Sequence, residues 1–431
     1  MTTLNDFSRC IVQYDPHALP VSSAQAIVRE WASPVAAVER VPLHDALDRV
    51  LAEDIVSPIS VPAHDNSAMD GYAFDGASLE AQAGTVSLQV TGKALAGHAF
   101  ERPVAVGECV RVMTGALIPP GCDTVVPQEA VTREADTVHF AANALTRGAN
   151  RRFAGEDLAQ GQPALRAGRI VRAADLGLLA SLGIGEVPVR RRLRVAFFST
   201  GDELRSLGEP LDPGCVYDSN RHTLFAMLRR MNIAALDLGV VRDEPVALEA
   251  ALRNAAESAD VVLTSGGVSV GEADFTKQLV RTFGDVAFWS LAMRPGRPLA
   301  FGRVWSGGRP GAGHPALFFG LPGNPVAVMV TFYQIVREAL IVMSGATVAP
   351  QPVISAASTQ AIRKRAGRTE FQRGVATRDA HGQWHVTPTG SQGSGVLSSM
   401  SEANCFIVLA HEQSDIDEGD TVDIMLFDGL V

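Results

Sequence analysis

Val261-Val-Leu-Thr-Ser-Gly-Gly-Val-Ser-Val-Gly-Glu-Ala-Asp274 is the stretch on which the fold turns. Val261–Thr264 is a short, continuous apolar run of the kind that forms a strand buried on both faces. Three glycines follow, at 266, 267 and 271. They permit positive φ and let a backbone approach a ligand closely. Phe275–Phe283 then reads as a helix, so the loop ends where free backbone N–H groups favour an anion. In an open α/β sheet such a crevice lies beyond the carboxyl ends of the strands.

The same alternation extends in both directions. Leu193–Ser199 and Ala234–Val241 read as strands and Pro245–Ser258 as a helix. Ser219 or Asn220 can cap a helix that runs to Met231, and Asn324 can cap a last long helix with Pro325 in its first position. Strand–helix alternation predicts a doubly wound α/β sheet over 193–342. Glu203, Asp243 and Asp274 each follow a strand, so all three fall at one edge of that sheet. Clustered carboxylates beside a phosphate site suit Mg²⁺; helix capping is the competing reading for each one. Arg294 and Arg297 flank a Pro-Gly turn, and guanidinium groups grip tetrahedral oxyanions in a bidentate manner. The amides of Leu321-Pro-Gly-Asn-Pro325 can face an anion too. No GxxxxGK[ST] is present, no GxGxxG follows a strand, and HExxH is absent, which disfavours P-loop phosphoryl transfer and dinucleotide chemistry. Gly267-Val-Ser269-Val-Gly271 also fits the nucleophile elbow of a serine hydrolase, which is kept as an alternative.

With 431 residues the chain is long enough for about three domains. Hydrophobic residues at 46% and charged ones at 19% allow large cores. The net charge of −10 argues against general nucleic-acid binding, although a local pocket can still be positive. Five scattered cysteines form no CxxC pair, so neither a disulfide framework nor a structural zinc site is expected. No transmembrane span or signal segment is expected, and the expected location is cytoplasmic. Residues 21–53 and 170–185 read as helix and turn, with Ala24–Trp31, Val41–Ala52 and Ala173–Ser181 as amphipathic stretches. Residues 55–150 read as a small β domain and 350–431 as a second one. The polar segments Asp65–Tyr72 and Arg147–Arg152 read as ordinary exposed loops.

Seven words of the sequence carry a resemblance: DNSAMDGYA (65–73), RVMTGALIPPGCDTVV (111–126), FSTGDEL (198–204), YDSNR (217–221), TSGGVSVGEADFT (264–276), LPGNPVA (321–327) and FQRG (371–374). In this order they resemble the molybdopterin molybdenumtransferase family, and the chain is similar to the E domain of gephyrin. The resemblance implies four domains. These are a helical linker domain (1–53 with 151–190), an inserted β domain (54–150), an α/β molybdopterin-binding domain (191–345) and a C-terminal β barrel (350–431). It implies insertion of molybdate into adenylylated molybdopterin, giving molybdenum cofactor and AMP with Mg²⁺ assisting. A homodimer is implied, its site shared between the α/β domain of one subunit and the inserted domain of the other. The adenylyltransferase and cofactor-accepting enzymes are implied as further partners, and a non-catalytic scaffold is the third reading. By the same resemblance Asp65, Thr114, Glu203, Asp243 and Asp274 are catalytic, the last three also as metal ligands. Arg294, Arg297, Arg373 and Ser394 would bind molybdate. Asp218, Ser265, Gly266, Gly267, Ser269, Gly271, Pro322 and Gly323 would bind the pterin and its phosphate. Three departures stand out: Arg294 and Arg297 replace common lysines, Ser290 stands where some members have lysine, and Ala327 replaces a common serine.

Overall fold

The computed structural model describes Leu4 and residues 15–81, 84–267, 275–428 and 430. Six strands make the central sheet: β1 (Arg194–Thr200), β2 (Ala234–Val241), β3 (Val261–Ser265), β4 (Gly284–Ser290), β5 (Pro298–Trp305) and β6 (Pro315–Leu321). Their order is β2-β1-β3-β6-β5-β4. Pairing is parallel through the first four, and β5 runs antiparallel to both of its neighbours, β6 and β4. Every residue of β3 is buried, as its apolar run requires in a sheet covered on both faces. On one face lie Leu224, Met227 and Leu228 of the helix Ser219–Arg230. On the other lie Leu248 and Leu252 of Pro245–Ser258 and Val280 of Phe275–Phe283.

Three local expectations change. The helix at 219 is capped by Asp218, whose carboxylate accepts the Arg221 N–H at 3.2 Å, and not by Ser219 or Asn220. Asp218 is the residue still extended when the helix begins, which is what a cap needs. Val41–Ala52 forms no α-helix. Val38–Pro42 pairs antiparallel with Glu186–Arg190, and only a 3₁₀ turn, Leu43–Ala46, follows. Pro42 lacks the N–H and disfavours helical backbone before it. Finally, the helix Val21–Trp31 joins the α/β core, where Ala24, Ile27 and Val28 share one buried cluster with Phe332 and Ile335.

Between Gly71 and Ala141 lies a six-stranded sheet in the order Thr124–Pro127, Gly71–Phe74, Glu108–Val112, Thr85–Ala94, Thr137–Ala141, Thr132–Glu134. At the C-terminus five strands close into a barrel, because Thr369–Arg378 pairs with both Trp384–Pro388 and Cys405–Leu409. Closure removes the sheet edges. Met293–Arg294 adds to this barrel, in parallel register with Thr369 and Glu370. That pairing fixes the barrel against the α/β domain at the turn that carries the two arginines.

Among the described residues one helix is long and apolar enough to cross a membrane, Pro325–Met343, with mean hydropathy 1.7. Two thirds of that window is buried, with Phe332, Ile335 and Leu340 inside the main core, so its apolarity has a packing cause.

Candidate active site

A cleft of about 1160 Å³ opens at the carboxyl ends of β1, β2, β3 and β6. Thr200, Gly201 and Glu203 enter it after β1, Asp243 after β2, Gly266 and Gly267 after β3, and Pro322 to Asn324 after β6. The turn Arg294–Arg297 forms a further wall, and the barrel supplies Arg368 and Gln392–Gly395. Asp218 and Ser219 line it at the start of their helix.

The end of β3, where the described part of the glycine loop begins, is tied to the loop after β6. The side-chain amide of Asn220 donates to Ser265 Oγ at 2.8 Å and to the Gly323 carbonyl at 2.7 Å. Gly266 has φ +89°, and a Cβ there would lie 2.5 Å from the Thr200 carbonyl oxygen. The strands can therefore pack this closely only because the position lacks a side chain. Near it the hydroxyls of Ser199, Thr200 and Thr264 are buried with no hydrogen-bond partner among the described residues, while the buried Oδ2 of Asp218 lies 3.5 Å from Arg221 Nε. Buried polar groups are normally paired, so three such hydroxyls beside one crevice suit a polar ligand or ordered water.

At the carboxylate end, burial raises the affinity of Asp243 for its proton, and the charges of Asp202 and Glu203 raise it further. Mutual repulsion of this sort is relieved by a cation. Glu203 and Asp243 both line the cleft, and the oxygen donors present suit a hard divalent ion. Among the described residues no three His, Cys, Asp or Glu side chains form a ready-made metal cage. Asp274, Ser269 and Gly271 lie outside the described residues.

At the cationic end, Arg294 and Arg297 line the cleft, with Arg294 exposed there. Ser394 lines it as well. Its hydroxyl accepts from Asn324 at 3.0 Å, and its carbonyl accepts the Val326 N–H at 3.0 Å, so the barrel loop seals the first turn of the last helix. Arg373 sits differently. Its side chain is 1% exposed and donates to Ser399 Oγ and to the carbonyls of Ser391 and Gly393. It builds the loop that presents Ser394 and is not among the cleft-lining residues. Burial, with Arg294 nearby, pulls its guanidinium pKa down to about 10.

Asp65 and Thr114 do not line the cleft of their own chain. Both are held rigidly. Asp65 accepts from the Ala154 N–H at 2.7 Å and from Arg151. Thr114 donates through its N–H and its hydroxyl to Asp70, at 2.7 and 2.8 Å. Asn66–Ser67 pairs with Arg151–Arg152, so the two segments read as ordinary loops form one braced structure. Those bonds depress the carboxyl pKa of both Asp65 and Asp70.

Asn220, Asn324, Arg368 and Asp70 belong to these arrangements although sequence reasoning assigned none of them to the site. The signal for Arg368 is the period-2 series Arg368, Glu370, Gln372 leading into a barrel strand.

Carboxylates, guanidinium groups and a glycine-walled crevice thus line one cleft of an α/β protein, an arrangement that suits a polyanionic ligand. Comparison with known proteins narrows this. Residues 19–183 match the MoeA N-terminal region (domains I and II), 196–342 a probable molybdopterin binding domain, and 355–427 the MoeA C-terminal region (domain IV). A Haemophilus influenzae molybdopterin molybdenumtransferase is 42% identical over 90% of this chain and 94% of its own length. A Nostoc molybdopterin molybdenumtransferase is 34% identical over 89% and 87%. The crystal structure of the molybdopterin biosynthesis moeA protein from Pyrococcus horikoshii superposes with TM-score 0.81 at 29% identity, covering 95% of this chain and all of the other. The chain belongs to the molybdopterin molybdenumtransferase, or MoeA, family.

Proposed function

We propose that this transferase inserts molybdate into adenylylated molybdopterin, releasing molybdenum cofactor and AMP. The observation that carries this is one cleft holding Glu203 and Asp243 at one end and Arg294 and Arg297 at the other. Molybdate is a tetrahedral dianion, and the two guanidinium groups with Ser394 suit its charge and shape. The amides around Gly266 and Gly267 suit the pterin and its phosphate. Cleavage of the bond between pterin phosphate and adenylate builds negative charge on oxygen. Glu203 and Asp243, with Asp274, would hold Mg²⁺, which when bound stabilises that charge. The protein's own contribution is to orient two anions that repel one another and to hold them within reach.

Asp65 and Thr114 are braced yet stand outside the cleft of their own chain, which supports a homodimer in which the partner's inserted domain completes the site. The four described cysteines are free, and a cytoplasmic location belongs to the same reading. The adenylyltransferase and the cofactor-accepting enzymes are the natural neighbours in such a reaction sequence. Family membership gives the hydrolase and scaffold alternatives no support.

The test is AMP release from adenylylated molybdopterin on addition of molybdate. The full chain should release AMP in proportion to cofactor formed, and Asp243→Asn should slow release by about a hundredfold. Undiminished release by that variant would remove Asp243 from the reaction.

A further inference from the structure

We propose that the chain carries a second anion site, at the end of the α/β sheet opposite the cleft, which takes a small organic oxyanion with an apolar body. A cavity of about 200 Å³ lies there. Residues 190–193 line it just before β1 begins at Arg194, and residues 230–233 line it just before β2 begins at Ala234. Arg337, Leu340 and Ser344, at the end of the last helix, form a further wall, and residues 48–50 close one side. The cleft occupies the carboxyl ends of the same strands, so the two cavities have no residue in common.

Charge is the first argument. Arg49, Arg190, Arg191, Arg192, Arg230 and Arg337 all line this cavity, against one acid, Asp48. Glu39 pairs with Arg49, and Asp260 pairs with Arg191 at 2.8 Å. Three positive charges remain once those three carboxylates are counted. Glu338, beside Arg337, is already engaged by Arg29. Arg190 donates to the carbonyls of Val35 and Ala36, at 3.4 and 3.5 Å, which leaves its charge unpaired. Among the described residues Arg192 and Arg230 have no carboxylate partner either. The negative end of the helix Ser219–Arg230 favours a cation, but that accounts for Arg230 alone. Like charges gathered this closely repel one another, and an anion between them removes the penalty. Burial already pulls the Arg337 guanidinium pKa down, and a bound anion opposes that shift.

The floor decides the kind of anion. Leu193, Ile233, Leu340 and Leu430 line the cavity, and each is 5% exposed or less. A bare inorganic ion gains nothing from these side chains, whereas a hydrocarbon body is taken out of water by them. An apolar floor with a few convergent charges is the ordinary make-up of a small-molecule site. An apolar cavity of about 150 Å³ holds benzene. This one therefore suits a single ring that carries a phosphate or carboxylate up to the arginines.

Fluorine NMR titration of the full chain tests the site, with 4-fluorophenyl phosphate and 4-fluorobenzoate as probes and molybdate present throughout to occupy the cleft. At least one probe should bind saturably, and the tighter of the two assigns the oxyanion. Arg192 and Arg230 are exposed, so the double variant Arg192→Gln with Arg230→Gln should keep the wild-type urea midpoint. It should bind the probe about tenfold or more weakly, the loss expected for hydrogen bonds between charged groups. Arg294→Gln, in the cleft, should bind it within twofold of wild type. 4-Fluorobenzyl alcohol keeps the ring without the charge and should bind at least about tenfold more weakly than the better anion. Binding by the double variant within twofold of wild type overturns the proposal, as does a wild-type chain that binds neither anion. A loss seen in Arg294→Gln and not in the double variant overturns it too, by placing the probe in the cleft. Equal binding of alcohol and anion removes the arginines from the site and overturns it as well.

Discussion

Asn220 reaches Ser265 Oγ at 2.8 Å from the first turn of the neighbouring helix, and the same amide holds the Gly323 carbonyl. Two loops from different strands thus converge on one buried side chain. Asn220→Ala removes the donor from both acceptors and leaves Ser265 Oγ its longer bond to the Pro322 carbonyl, at 3.4 Å. The expected cost is about 1–3 kcal/mol of stability, read as a lower urea midpoint at unchanged slope. Pterin affinity should fall in step, because the crevice walls are no longer tied together. An unchanged midpoint would mean that water replaces the amide without loss.

Gly266 gives a sharper test of the same crevice. Its φ of +89° and the 2.5 Å approach of an added methyl carbon to the Thr200 oxygen act together. Backbone carbonyls cannot rotate aside as a flexible side chain can. Gly266→Ala should cost at least about 2 kcal/mol, and thermal unfolding measures it. Gly323, where a Cβ meets nothing within 4 Å, is the control, and Gly323→Ala should cost far less.

The raised pKa of Asp243 makes stability depend on pH with a defined sign. The folded chain binds this proton more tightly than the unfolded chain, so ionised Asp243 disfavours the folded state. That penalty is complete above the raised folded pKa and disappears below the ordinary value of about 3.8. Asp243→Asn should therefore be more stable than wild type at neutral pH, and the two should converge as the pH falls below about 4. Added Mg²⁺ should raise the melting temperature of wild type and have little effect on the variant. A variant no more stable at neutral pH would show that the repulsion is already relaxed by solvent.

How much of this was legible in the sequence depended on how local the signal was. The β3 run, the glycine loop and the helix 245–258 were readable because period and punctuation agree there. The strands β4 and β5, an antiparallel pair, were not, since they bracket the Pro-Gly turn and carry no alternation with helices. The helix Val21–Trp31 was recognised, but its place in the α/β core was not, because an amphipathic face does not name its partner. Arg373 was legible as a residue of the FQRG word, while its burial behind the Ser394 loop depends on barrel closure, a contact between strands over thirty residues apart. Arg368 was passed over because a lone arginine before a strand reads as surface until Glu370, its carboxylate partner, is seen to be buried.

Asp65 and Asp243 offer the test of how many chains make one site. Asp65 is fixed by Ala154 and Arg151 in the inserted domain, and Asp243 lines the cleft of the α/β domain. In a shared site Asp65→Asn and Asp243→Asn each inactivate their own homodimer. Mixed subunits behave otherwise. A heterodimer of the two variants places both substitutions in one site and leaves the second site wild type. With random pairing half of the dimers are mixed, so about a quarter of wild-type activity should return after the variants are unfolded and refolded together. A site built within a single chain returns none, since each chain then carries its own defect. Activity measured against the mixing ratio should peak at equal amounts, which separates true sharing from residual activity of either variant.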